Sequence, residues 1–312
     1  MRLRASFKDA TVFHRIIQTI AKFSGKCILR FSPEQVEIVV EPTPESVEIW
    51  AILDRVDAFF RVEESSREYR VESNHDNQIN LEVSTELVLR ALRSAANSTD
   101  VTMRLAKDGA NTKLSFQIVT NSSGGAKTDI HQDVSCIVKR ASHMANIRTA
   151  VQYLEDQHPH IVCAFPRLSE VRVVADRMRT LRPQMQIVIS ANYLGQVKLS
   201  MVDDGLETET VWSGLTVRED EDEHAAMSSE DRQRFHEVRV EMKTFLKFLS
   251  STLTEPKVEL WIYRRVCARF VMHVMSGPAG KPSNSLLDAG RSEAIAHLMF
   301  NLPGLGSDYD DD

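Results

Sequence analysis

One order of elements recurs four times along the chain: a strand-like run, an amphipathic helical stretch, then further strand-like runs. The helical stretches begin near residues 9, 84, 168 and 242, giving separations of 75, 84 and 74 residues. Those periods exceed the roughly 20–50 residues of solenoid repeats, so a stacked array is excluded. The chain has 312 residues, and at about 150 residues per domain that length suggests two domains. The pattern therefore predicts two similar domains, each built from two strand–helix–strand repeats. Antiparallel strands with few long helices make the class α+β, with a sheet covered on one face.

In the first domain, residues 1–139, strand-like runs fall at 2–7, 27–31, 36–40, 47–53, 69–71, 79–83, 101–106, 114–119 and 128–139. A helix over 9–23 has Asp9 as N-cap and Gly25 just past its end, and Ser84 or Thr85 caps a helix over 84–96. Asp108-Gly109 marks a turn. Residues 140–159 are irregular in pattern and read as an interdomain connector. The second domain, 160–303, has strand-like runs at 161–165, 186–191, 197–202, 207–217, 235–241, 257–263, 269–275 and 295–301, with a hairpin around Leu194-Gly195. Its helices cover 168–182 and 242–253. A Pro/Gly/Ser-rich insertion, 276–294, interrupts it, and an acidic tail, 304–312, ends the chain.

Composition removes several classes. Apolar types make up 42% and charged types 26%, close to the soluble average, which argues against wholesale disorder. A membrane-spanning helix needs about 20 mostly apolar residues, and no such run occurs. The N-terminus lacks the apolar stretch of a secretory signal. Cys27, Cys136, Cys163 and Cys267 lie far apart, which fits a reducing compartment without a disulfide framework. The formal net charge of −6 argues, taken alone, against a nucleic-acid binder.

The distribution of that charge reverses the inference. In the first helix Val12, Phe13, Ile16, Ile17 and Ile20 form an apolar stripe opposite Arg15, Gln18 and Lys22. In the second, Leu87, Ala91 and Leu92 oppose Glu86, Arg90 and Arg93; in the third, Val171, Val174, Ala175, Met178 and Leu181 oppose Arg172, Asp176 and Arg179. In the fourth, Phe245, Leu246 and Leu249 oppose Lys243, Lys247 and Ser250. Spacings of three and four put each polar series on one solvated face. The four segments carry +2, +1, +2 and +2, or +7 together, leaving −13 on the rest. Spread point charges without interleaved aromatics suit a duplex phosphate backbone better than unstacked bases. The candidate DNA-facing residues are Arg15, Lys22, Arg90, Arg93, Arg172, Arg179, Lys243 and Lys247.

With that pattern in place, the chain resembles the PCNA-like sliding-clamp family. Within it, the chain is similar to the Hus subunits of the nine-one-one DNA-damage checkpoint clamp. The resemblance lies in Met1-Arg-Leu-Arg-Ala, Ile20-Ala-Lys-Phe-Ser-Gly-Lys-Cys-Ile-Leu-Arg-Phe-Ser-Pro-Glu and Val47-Glu-Ile-Trp-Ala-Ile-Leu. It continues in Ile79-Asn-Leu-Glu-Val-Ser-Thr-Glu-Leu-Val-Leu-Arg-Ala-Leu and Val240-Glu-Met-Lys-Thr-Phe-Leu-Lys-Phe-Leu. The resemblance covers residues 1–275, with the last strand returning at 295–301. It implies a nuclear, non-enzymatic subunit of a heterotrimeric ring that encircles duplex DNA. An ATP-driven clamp loader and repair and signalling proteins bound near the connector are the implied partners, besides two other clamp subunits. By position, strands 110–119 (Leu114, Phe116, Ile118) and 206–217 (Thr208, Thr210, Trp212) would be edges that pair with neighbouring subunits. The insertion, the tail and the acidic run 219–223 depart from the family pattern.

Rival readings have less behind them. A homotrimeric replication clamp would show the same pattern. His158 and His160 with Cys163 suggest a metal-dependent hydrolase, but no second Cys/His pair stands at zinc-site spacing, and Cys163 reads as core. Gly124-Gly-Ala-Lys-Thr lacks the first glycine and the strand–loop–helix setting of a phosphate loop. No nucleotide fingerprint or hydrolase motif is present, and no cofactor or metal is expected. Glu219–Glu223 with His224 reads as a solvated loop rather than a cation site. The sequons at Asn97 and Asn121 carry no weight in a chain without a secretory signal. Trp50, Trp212 and Trp261 read as strand residues that pack in the core.

Overall fold

The computed structural model describes all residues except 42–46, 63–68, 96–97, 99, 110, 122–126, 182–185, 204–205, 219–226, 252, 254–255, 276–293 and 306–312. The acidic run 219–223, the glycines of the phosphate-loop-like fragment, the body of the insertion and most of the acidic tail lie outside the described residues. The chain divides into two compact units, Met1–Gln152 with Ile295–His297, and Tyr153–Ala294 with Leu298–Asp312.

The first unit runs β1 (Arg2–Ser6), α1 (Ala10–Ile20), β2 (Lys26–Phe31), β3 (Val36–Val40), β4 (Glu48–Leu53), α2 (Val56–Phe59), β5 (Tyr69–Glu72) and β6 (Ile79–Ser84). It continues with α3 (Thr85–Ala95), β7 (Asp100–Asp108), β8 (Asn111–Asn121), β9 (Lys127–Lys139) and α4 (Ala141–Glu155). Its strands follow the order β4-β3-β2-β6-β9-β8-β7-β1-β5. Asp9 caps α1 as expected, its carboxylate accepting from the Thr11 N–H at 2.7 Å. The helix stops at Ile20, earlier than residue 23. Ala21 closes it, and Gly25 keeps an ordinary φ rather than a left-handed cap conformation.

Phe13, Ile16, Ile17 and Ile20 of α1 are fully buried, and α1 packs against α3. Phe7, Phe13, Phe60 and Tyr69 join that core, with Phe7 to Phe13 at 5.4 Å and Phe60 stacked on Tyr69 at 5.2 Å. The Tyr69 hydroxyl donates to the Ser32 carbonyl at 2.6 Å, which satisfies its polar end. In α3 the buried stripe is Val88, Leu89, Ala91 and Leu92, and Leu87 is exposed. The stripe thus differs from the expected one by a rotation, because packing against α1 selects the face.

The expected single covered face is also corrected. All five residues of β3 are buried, so both faces of the sheet are covered there. The second face carries a polar centre. Glu37, 1% exposed, accepts two bonds from Arg30 at 2.8 and 3.0 Å and one from Arg148 of α4 at 2.9 Å. Residues 140–159 are accordingly not irregular: α4 fills most of them, with Met144 and Ile147 buried at helical spacing. Among the described side chains Met144, Ile147 and Leu154 are buried, a thin apolar stripe set among polar residues, which is why the sequence pattern looks irregular.

The second unit contains β10 (Ile161–Ala164), α5 (Leu168–Leu181), β11 (Gln186–Asn192), β12 (Gln196–Asp203), β13 (Leu206–Trp212), α6 (Ser229–Gln233) and β14 (His236–Glu241). Next come α7 (Met242–Leu249), β15 (Lys257–Tyr263), β16 (Cys267–Met275) and β17 (Ala294–Pro303). One sheet runs β13-β12-β11-β14, and β10-β15-β16-β17 are consecutive neighbours in the other. Phe248 lies 4.2 Å from Phe270, between Phe245 and Phe300. Gly195 turns the β11–β12 hairpin at φ +71°, and a Cβ there would collide with the Leu215 carbonyl oxygen. The strand expected over 207–217 breaks after Trp212. Gly214, at φ +78°, redirects the chain so that Thr216 and Arg218 bond to β10 instead. Trp50 is buried; Trp212 and Trp261 are half-buried.

All four cysteines are free and buried. Burial pushes the thiols of Cys27 and Cys163 up to about 12 and that of Cys136 to about 11. Ellman's reagent at neutral pH should therefore label none of these three in the native chain within minutes, and all four after unfolding. Glu37→Ala should lower stability by about 3 kcal/mol, read as a fall in the urea midpoint at constant m, because it strands the buried Arg30 guanidinium.

Candidate nucleic-acid interface

Each unit brings two of the four repeat helices together: α1 packs on α3, and α5 on α7. In the first unit Arg15, Arg90 and Arg93 are exposed, and Lys22, just past the end of α1, is half-buried. His14 records how close the two helices bring their charges. Burial first, then the charges of Arg93 and Arg15, holds its imidazole below the usual histidine range. Arg90 bonds Glu86 one turn away at 2.6 Å. In the second unit Arg172, Arg179 and Lys243 are exposed, and Lys247 is half-buried. Asp176 stands between the two arginines, 3.6 Å from Arg172 and 3.2 Å from Arg179. Exposed pairs of this kind contribute at most about 1 kcal/mol, so they orient the guanidinium groups without removing them from other anions. Arg177 on α5 is a further exposed cation that the face assignment left aside.

The strand edges differ from expectation in one place. β8 lies between β7 and β9 and is paired along both sides, so it is interior. Leu114, Phe116 and Ile118 are fully buried core residues, and strand 110–119 cannot be an edge. The edge belongs to β9. Its last residues, Cys136 to Lys139, pair with β6, but no described strand pairs with residues 127–135 on the side away from β8. In the second unit β13 pairs with β12 alone among the described strands. Thr208, Thr210 and Trp212 face the core side of that edge strand, opposite Met201, Leu199 and Val197. Length of pairing was the missed signal: β8 and β9 form the longest ladder in the unit, which leaves β9 outermost beyond β6.

His158 and His160 do not assemble a metal centre. His160 Nδ1 accepts the Arg264 N–H at 3.2 Å, and its ring lies 5.8 Å from His236. Among the described residues no group of three His, Cys, Asp or Glu could hold a metal ion. No helix among them is long and apolar enough to cross a membrane.

Two solved structures show the same architecture across almost the whole chain. One is proliferating cellular nuclear antigen from Entamoeba histolytica, with a TM-score of 0.62 at 12% identity, covering 97% of this chain and 99% of that one. PCNA from Thermococcus kodakaraensis follows at 0.61 and 14%, covering 97% and 100%. The fold is thus that of the PCNA clamps. Residues 1–280 match the family model described as Hus1-like protein, and the chain belongs to that family. It is 30% identical over 215 residues to the checkpoint protein hus1 of Schizosaccharomyces pombe, covering 69% of this chain and 70% of that protein. It is 25% identical over 268 residues to the human checkpoint protein HUS1, covering 82% and 89%.

The packing of α1 on α3 has a direct readout. In an NMR titration His14 should protonate below the usual histidine range, and Arg93→Gln should move its midpoint upward by removing one cation. An unmoved midpoint would place Arg93 away from His14.

Proposed function

We propose that this chain is one subunit of a three-subunit checkpoint clamp that encircles duplex DNA in the nucleus. The observation that carries the reading is membership of the Hus1-like family over residues 1–280 on a clamp fold. The charge pattern supplies the mechanism. Arg15, Lys22, Arg90 and Arg93 on one helix pair, and Arg172, Arg179, Lys243 and Lys247 on the other, reach phosphates as point charges. They present no aromatic platform and no ordered base-edge readout, so contact is independent of sequence. Each contact is exchangeable, and a ring held by such contacts slides.

The role is that of a scaffold: an ATP-driven loader opens the ring, and repair and signalling proteins dock near α4. The free edges of β9 and β13 are where two different clamp subunits join by β-pairing. On this reading Leu114, Phe116 and Ile118 support the edge from within, and Thr208, Thr210 and Trp212 lie on an edge strand itself.

The test uses the assembled ring. Mixing the chain with two candidate clamp subunits should give a 1:1:1 particle. In that particle Arg15→Glu, Arg93→Glu, Arg179→Glu and Lys247→Glu together should reduce retention on circular DNA by roughly tenfold or more at moderate salt. The log–log salt dependence should flatten by about 0.9 for each phosphate that is no longer neutralised. Unchanged retention with an intact ring would remove these side chains from the DNA surface.

A further inference from the structure

Each of the two edges, on β9 and on β13, carries a pair of acidic residues on its outward row. Along β9, Ile130, Gln132 and Val134 turn toward the helix side, where the Gln132 amide donates to Ser94 Oγ of α3 at 3.0 Å. Lys127, Asp129, His131, Asp133 and Ser135 therefore form the exposed outer row, with Asp129 and Asp133 at its centre. Along β13, Thr208 and Thr210 sit opposite the buried Met201 and Leu199, so Glu207 and Glu209 form the outer row.

On the clamp reading, a second copy of the chain would join by laying β13 on the free edge of β9. Ladders within the chain, β1–β5, β11–β12 and β8–β9 among them, are antiparallel. For the same pairing sense between copies, two conditions fix the register. Helix-side residues must meet helix-side residues, because a one-residue slip turns every side chain to the other face. The seven residues of β13 must also lie within the free residues 127–135. Three placements give full overlap, and one of them matches the faces. It sets Asp133 opposite Glu207, His131 opposite Glu209 and Asp129 opposite Val211. Both Asp133 and Asp129 then stand diagonal to Glu209. Directly opposite side chains are about 5 Å apart at Cβ and diagonal ones about 7–8 Å, within reach of charge repulsion.

The nearby lysines do not cancel these pairs, and Lys127 itself falls opposite Ser213, past the end of β13. Lys113 is shared between Asp108 at 2.7 Å and Asp133 at 3.8 Å, and Lys198 lies 3.5 Å from Glu209 with its ammonium also over the Phe235 ring at 4.8 Å. Three acid–acid contacts would remain at the seam.

We propose that these carboxylates are a charge code that excludes a second copy of this chain and selects a different protein. The accepted partner at β9 carries Lys or Arg opposite Asp129 and Asp133, and the partner at β13 carries them opposite Glu207 and Glu209. The inference rests on the clamp-subunit reading above, and it deepens that reading by naming the chemistry of the partner edges. Discrimination of this type works through the repulsive element as much as the attractive one.

Charge reversal in the full chain tests the code by sedimentation velocity. Wild type should stay monomeric. Glu207→Lys with Glu209→Lys should self-associate about tenfold or more tightly, since lysines then face Asp133 and Asp129. Adding Asp129→Lys and Asp133→Lys should abolish that gain, and added salt should weaken the association of the singly reversed chain. The neutral pair Glu207→Gln and Glu209→Gln should fall between, and it replaces the lysine variant if that chain fails to fold. A wild-type chain that forms a ring by itself would overturn the code, as would equal association of the singly and doubly reversed chains. Mixing wild type with two clamp subunits separates the two readings. A 1:1:1 ring alongside unresponsive variants sinks the charge code alone, whereas no ring with any subunit sinks the clamp reading.

Discussion

Burial of one apolar stripe on each repeat helix is the constraint from which the charge pattern follows. Removing Phe13, Ile16, Ile17 and Ile20 from water contributes about 1.5–3 kcal/mol apiece, whereas an exposed ion pair contributes about 1 at most. The apolar stripe therefore decides how α1 rotates, and Arg15 is carried to the opposite side. The same holds for Val171, Ala175 and Met178 against Arg172 and Arg179 in α5, and for Phe245 and Phe248 against Lys243 in α7. A positive surface arises without any attraction between its members. Asp176 and Glu86 temper the repulsion within it at little cost to its reach.

The far side of the first unit obeys a different rule. There a carboxylate with almost no exposure, Glu37, is held by Arg30 from the neighbouring strand and Arg148 from α4. Breaking such a centre is costly because one charge would be left buried alone. The connector is thereby tied to the sheet by a hydrogen-bonded charge cluster, with Met144 and Ile147 adding apolar contact. Arg148 also lies over Trp50, at 6.0 Å. A helix seated in this way is a fixed surface instead of a loose strap.

Much of this could be read from residue order. Three- and four-residue spacing identified the four helices and the faces carrying Arg15, Arg93, Arg179 and Lys247, because helix amphipathicity is a local property. Asp9 as a cap and Leu194-Gly195 as a hairpin turn were equally local. The stripe of α3 was misjudged by one position, since Leu87, Val88 and Leu89 are all apolar and only the contact with α1 chooses among them. The helix α4 was missed because its buried side is narrow and its anchor, Arg148 to Glu37, joins residues far apart in sequence. The end of strand 207–217 was missed because Gly214 breaks it, and a lone glycine in a β-branched run does not announce a turn.

The basic helix faces and the individual helices and strands were determined by the sequence alone, since each depends on neighbours within about ten positions, and their recurrence along the chain carried the α+β class, the fourfold order and the family. Which strand edge remains open was decided only by the tertiary structure. An edge is defined by what does not pair with it, and pairing joins residues remote in the chain. Hence Leu114, Phe116 and Ile118 pass from a supposed edge to the core, and the open edge moves to β9, where Asp129 and Asp133 stand.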